Sequence, residues 1–151
     1  MTTSAPSCLI TGASGGVATA LAEVLRAQGW RLALAGREAA RIPAAPGDTA
    51  IEADVSTEAG AAHALEAATA AFGAPPDAVV NCAGAVLIAP IGRTSEAQYR
   101  ACLAANLDTA FFVAKAYTGA LQAVKRGGAL VLFSSDNGPE GDGIKTPGRG
   151  Y

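Results

Sequence analysis

Thr11-Gly12-Ala13-Ser14-Gly15-Gly16-Val17-Ala18 follows directly on the apolar run Cys8-Leu9-Ile10. An apolar strand that turns through glycines into a helix restricts a chain to few folds. Gly12 lets the backbone turn sharply off the strand. Gly16 carries no side chain, so the backbone there can approach an anion closely. Ala18 is small enough for helix and strand to pack tightly. The N–H groups that open the helix, with its dipole, then face the anion. A turn of this kind builds a pocket for a pyrophosphate, although small-residue turns also occur without a ligand.

The rest of the chain alternates strand and helix. Strands are expected at residues 8–11, 30–35, 50–53, 78–82 and 129–133. Helices are expected at 15–28, from Ser56 or Thr57 to Phe72, and as one long element over 95–125. The first should bury Leu21, Val24 and Leu25 on one face. Ser95-Glu96-Ala97-Gln98 reads as a capping box for the long helix. On that helix Leu103, Leu107, Phe111, Ala114 and Tyr117 recur near helical spacing. Lys125 and Arg126 favour its C-terminus, and Gly127-Gly128 stops it. Five strands alternating with helices imply an α/β fold, a Rossmann-like doubly wound parallel sheet with right-handed crossovers. The 151 residues suit one dinucleotide-binding domain, with 135–151 as an active-site loop region.

Composition excludes several classes. Half the residues are hydrophobic and 16% are charged, which suits a buried core. The net charge is −2, with no basic cluster to suggest nucleic acid. No apolar run approaches the ~18 residues of a membrane span. Residues 1–7 lack the pattern of a signal peptide, so a cytoplasmic protein is expected. Cys8, Cys82 and Cys102 are widely spaced, with no metal pattern, and read as reduced, mostly buried thiols. No metal site is expected.

Four further segments fall at the ends of the expected strands, where open α/β sheets bind ligands. Gly36-Arg37 ends the second strand. An acid there would bond a ribose diol. The guanidinium of Arg37 suits a 2′-phosphate instead, which favours NADP(H) over NAD(H). Asp54 follows the third strand and can accept a hydrogen bond from an adenine amino group, or simply open the next helix. Asn81-Cys82-Ala83-Gly84 ends the fourth strand, where small residues leave room for a ribose and the Asn81 amide can tie neighbouring strands. Ser134-Ser135 ends the fifth, where a hydroxyl can polarise a carbonyl, or merely form a turn.

Taken in order, these segments resemble the short-chain dehydrogenase/reductase family over essentially the whole chain. The family's TGxxxGxG pattern appears as Thr11, Gly12, Gly16 and Ala18, with alanine for the last glycine. Ser14, Gly15 and Val17 lie within or beside it. Asp54-Val55 matches the Asp-Val after strand three. Asn81-Cys82-Ala83-Gly84 matches the family's NNAG, with cysteine for the second asparagine. Asn106 matches its helix asparagine and Ser135 its strand-five serine. The resemblance implies reversible hydride transfer between a nicotinamide and a carbonyl or alcohol substrate. Ser135 would orient the substrate oxygen, and a tyrosine would pass the proton. A lysine one turn later would lower that tyrosine's pKa. Asn106 would hold a water on the route to solvent.

The family's Tyr-x-x-x-Lys is expected to be incomplete within these residues, the last of which is Tyr151. Either Tyr151 is the catalytic tyrosine, with an insertion in 136–150, or it is a loop residue and the tyrosine lies further on. Lys145 is no substitute, and Tyr99 and Tyr117 read as packing or surface residues. The resemblance implies further strands and helices that these residues do not include, among them the helix that pairs with the long helix when subunits associate. The expected parent is a homodimer or homotetramer. The expectation for these residues is an incomplete Rossmann domain, inactive and marginally stable alone. The competing expectation is a non-catalytic dinucleotide-binding sensor or interaction module.

Overall fold

A computed structural model describes residues 5–134. Five parallel strands form one sheet in the order β3-β2-β1-β4-β5: β1 Ser7–Thr11, β2 Arg31–Gly36, β3 Thr49–Glu52, β4 Ala78–Asn81 and β5 Ala129–Leu132. The helices are α1 Gly16–Ala27, α2 Glu58–Phe72, α3 Glu96–Leu103 and α4 Thr109–Ala123. This is the expected doubly wound α/β fold.

Strand periodicity divides the core between the two faces. Cys8, Ile10, Leu32, Leu34 and Val80 face one way and pack with Ala18 and Ala22 of α1. Leu9, Ala33, Ala35 and Val79 face the other way and meet α2 and α4 through Ala64, Leu65, Ala68, Val113 and Tyr117. On β2, leucines therefore meet one helix, and alanines leave room for two. The central strands are buried along nearly their whole length, as parallel strands covered on both faces must be.

Polar groups fasten the end of the sheet away from the strand C-termini. The Asp77 carboxylate accepts from Ser7 N–H at 2.8 Å and Ser7 Oγ at 2.9 Å, and Arg126 lies 3.3 Å from it. The Tyr117 hydroxyl donates toward the carbonyls of Pro76 (2.9 Å) and Asp77 (3.0 Å). Gly128 must be glycine, because a Cβ there would sit 2.1 Å from that hydroxyl.

Several expectations are corrected. Val24 lies on the exposed side of α1; Ala18 and Ala22 are buried instead. The long helix runs on as expected, but its α pattern is interrupted. Its capping box is present, but a π turn, Ala104–Asp108, separates α3 from α4, and α4 ends at Ala123. Two side chains take carbonyls from the helical ladder there: Asn106 Nδ2 bonds Cys102 O at 2.9 Å, and Thr109 Oγ1 bonds Ala105 O at 2.9 Å. Leu107 and Phe111 are 60% and 59% exposed; Thr109, Val113 and Tyr117 form the buried face. Of the thiols only Cys8 is fully buried, with Cys82 and Cys102 half-buried. Burial, aided by the Cys82 thiol, pushes Cys8 up to about 12. Among the described residues no helix is long and apolar enough to cross a membrane.

Candidate functional site

A cavity of about 450 Å³ opens at the C-terminal ends of the strands. Most of its walls come from four successive strand ends. Gly12, Ser14 and Gly15 follow β1, and Gly36 and Arg37 end β2. Ala53 to Ser56 follow β3, and Cys82 to Ala85 follow β4. The strand order reverses between β1 and β4, so the connections leave on opposite faces and a crevice opens between them.

The β1 turn is shaped by close approach. Gly12 has φ +66°, and a Cβ there would sit 2.6 Å from Ala83 N. The turns after β1 and β4 can therefore touch only at glycine. Gly15 N–H bonds Gly12 O at 2.9 Å and closes the turn. At Gly16 the space a Cβ would occupy is open. Helix α1 starts at Gly16 with no side-chain cap and no acidic residue in its first turn. By contrast, Thr57 caps α2 and Ser95 caps α3, each followed by an acid. The first N–H groups of α1 thus lack a side-chain cap, beside the open space at Gly16.

Asp54 is held by its neighbour. Its Oδ1 accepts from Ser56 N–H at 3.0 Å and Ser56 Oγ at 2.7 Å. The Ser56 hydroxyl, then the Ser56 N–H and the charge of Arg37, outweigh partial burial and hold this carboxyl below its usual range. Asp54 is thus an ionised acceptor beside a cation.

Asn106 fixes the loop after β4. Its Nδ2 donates to Ala85 O at 2.8 Å, and its Oδ1 accepts from Ala85 N–H at 3.2 Å. Gly84 permits this, since a Cβ there would lie 3.0 Å from Asn106 Oδ1. The asparagine amide is committed to the loop backbone, which places the π turn against the cavity wall.

The expected site residues divide into three sets. Gly12, Ser14, Gly15, Arg37, Asp54, Val55, Ala83 and Gly84 line the cavity. Thr11, Gly16, Val17, Asn81 and Asn106 are not among its lining residues. Thr11 and Asn81 are buried: the Thr11 hydroxyl donates to Asn81 Oδ1, and Asn81 Nδ2 reaches Thr109 Oγ1 at 3.5 Å. Val17 is exposed. Ser135, Tyr151 and Lys145 lie outside the described residues, and Ser134 is exposed beyond β5. Sequence reasoning missed Ser56, Thr109 and the alanines 101, 104 and 105, which wall the cavity from the α3 side. The alanine spacing of three and four residues was legible as one small-residue helix face. Among the described residues no group of three or more His, Cys, Asp or Glu side chains could hold a metal.

Comparison with known proteins agrees with this fold. The chain is 31% identical over 149 residues to (3R)-3-hydroxyacyl-CoA dehydrogenase of Mus musculus, covering 89% of this chain and 58% of that protein. It is 29% identical over 143 residues to galactitol 2-dehydrogenase of Agrobacterium fabrum, covering 91% and 56%. It thus spans well under two thirds of these relatives. Among solved structures, a short-chain glucose/ribitol dehydrogenase from Brucella melitensis superposes with a TM-score of 0.79 at 25% identity, covering 90% of this chain and 59% of that one. The family model for short chain dehydrogenases matches residues 7–145, and the chain belongs to that family.

Proposed function

We propose that this chain forms the cofactor-binding part of an oxidoreductase that prefers NADP(H) and acts on a secondary alcohol or the matching ketone. The cavity at the strand-order reversal carries the proposal, because it joins an uncapped helix N-terminus, a guanidinium and an ionised carboxylate. The open space at Gly16 fits a pyrophosphate, with the first N–H groups of α1 as donors. Arg37 pairs with a 2′-phosphate, and Asp54 accepts from the adenine amino group. Ala83 and Gly84 leave room for a ribose. When bound, the nicotinamide supplies or accepts hydride.

The chain's own residues do the positioning. Asn106 holds the β4 loop and so sets the depth of the nicotinamide end. Thr109 anchors Asn81 and steadies the same wall. By the resemblance to the family, Ser135 orients the substrate oxygen and Tyr151, or a tyrosine beyond it, passes the proton. The relatives' names all describe alcohols, which supports a secondary alcohol as substrate. Within the 151 residues no tyrosine is followed four residues later by lysine. These residues alone therefore bind cofactor without turnover. The exposed face with Leu107 and Phe111 would meet a second subunit.

Titration with NADPH and NADH, monitored by calorimetry, tests the proposal. Saturable binding with NADPH the tighter ligand is expected. Absence of binding by either dinucleotide would overturn it. If a form carrying the tyrosine and lysine binds NADPH but reduces no ketone, the non-catalytic reading takes its place.

A further inference from the structure

Arg37 is exposed, and among the described residues no hydrogen bond or ion pair holds its side chain, so its position depends on its backbone. That backbone is tied at both ends. Before it, Gly36 O accepts from Ala53 N–H at 2.8 Å. After it, Ile42 is buried and folds back on Gly36, where a Cβ would lie 3.3 Å from Ile42 Cγ1. Between these ties a 3-10 turn, Ala39–Arg41, opens with no side-chain cap from Glu38, which pairs with Arg41 at 3.2 Å instead. The missing cap comes from another strand. Glu52, the register partner of Gly36 on β3, accepts the Ala39 N–H on Oε2 at 2.9 Å.

We propose that Glu52 is a positioning residue for cofactor discrimination: by holding the Ala39 N–H it fixes the segment that carries Arg37 to the 2′-phosphate. The inference rests on the reading of Arg37 as the ligand of that phosphate. Glu52 acts through its hydrogen bond and not through its charge. A carboxylate near a phosphate subsite repels the ligand, so the two effects have opposite signs and can be separated by substitution. Glu52→Asp keeps the charge and shortens the reach. Glu52→Gln keeps an acceptor at full reach and removes the charge.

The test measures Kd for NADPH and for NADH by calorimetry on the protein and on Glu52→Asp, Glu52→Gln, Arg37→Ala and the Arg37→Ala/Glu52→Asp pair. The exposed position of Glu52 makes both of its single variants compatible with folding, and the NADH affinity serves as the check. Glu52→Asp should weaken NADPH by about two- to tenfold, the net effect of one hydrogen bond, and leave NADH unchanged. Glu52→Gln should bind NADPH as tightly as the parent or more tightly. In the Arg37→Ala background Glu52→Asp should change nothing further. Equal loss for both cofactors, loss in Glu52→Gln as in Glu52→Asp, or no loss in Glu52→Asp would each overturn the inference and leave Arg37 standing. If Arg37→Ala leaves the ratio of the two affinities unchanged, the Arg37 reading fails and this inference fails with it.

Discussion

The Thr11 hydroxyl donates to Asn81 Oδ1 between the C-terminal ends of β1 and β4, where the two residues are register partners and both are buried. A threonine that the family pattern assigns to the cofactor turn thus works inside the sheet. Thr11→Val fills nearly the same volume but leaves the Asn81 oxygen without this donor. The expected loss of stability is about 1–3 kcal/mol in urea unfolding, with little change in NADPH affinity. Unchanged stability would remove the threonine from this role.

Gly12→Ala forces a side chain into a left-handed backbone and against Ala83. Conformational strain alone should cost about 1–3 kcal/mol. The clash adds to it and displaces the Ala83–Gly84 wall, so thermal stability and NADPH affinity should fall together. A variant that melts with the parent would show that the two turns do not need their present separation.

Arg37→Asp removes the cation at the end of β2 and places an acid where a ribose diol would lie. Affinity for NADPH should fall about ten- to hundredfold, the range of charge-assisted hydrogen bonds, while NADH is unchanged or tighter. Direct titration of both cofactors reads the ratio, and an unmoved ratio assigns the phosphate to another group.

Stability should also depend on Asp77. Partial burial raises its carboxyl, but Ser7 N–H, Ser7 Oγ, Arg126 and Arg31 together outweigh that and hold it below the usual range. The unfolded chain therefore binds more protons as pH falls through the ordinary carboxylate range. The stability Asp77 contributes is present above that range and is lost as pH drops toward its folded value. Its half-exposed side chain keeps the effect small through solvent screening. Asp77→Asn should flatten part of the acid limb in a stability–pH profile. An identical acid limb in both proteins would assign the limb to other groups.

The order of elements was legible because each carries a local signal. Gly12 and Gly16 mark the first turn, Ser95 and Gln98 cap α3, Thr57 caps α2, and glycines follow the helices. Local propensity and short-range hydrogen bonds act within a few residues, so they survive in a one-dimensional reading. The π turn was not legible, although Asn106 and Thr109 were in view. Within it their side chains bond the carbonyls of Cys102 and Ala105, contacts that residue spacing alone does not single out.

From the sequence alone followed the alternation of strands and helices, the parallel sheet, and the residue types gathered at the strand ends. Only the tertiary structure decided which of those residues face a cavity. Periodicity shows that Leu107, Phe111 and Tyr117 recur along a helix, but not that Tyr117 is covered by the sheet while the other two face outward. Spacing likewise cannot show that Thr11 meets Asn81 or that Glu52 reaches Ala39. These contacts join residues far apart in the chain, and they exist only once strand order and register bring the side chains within hydrogen-bonding distance.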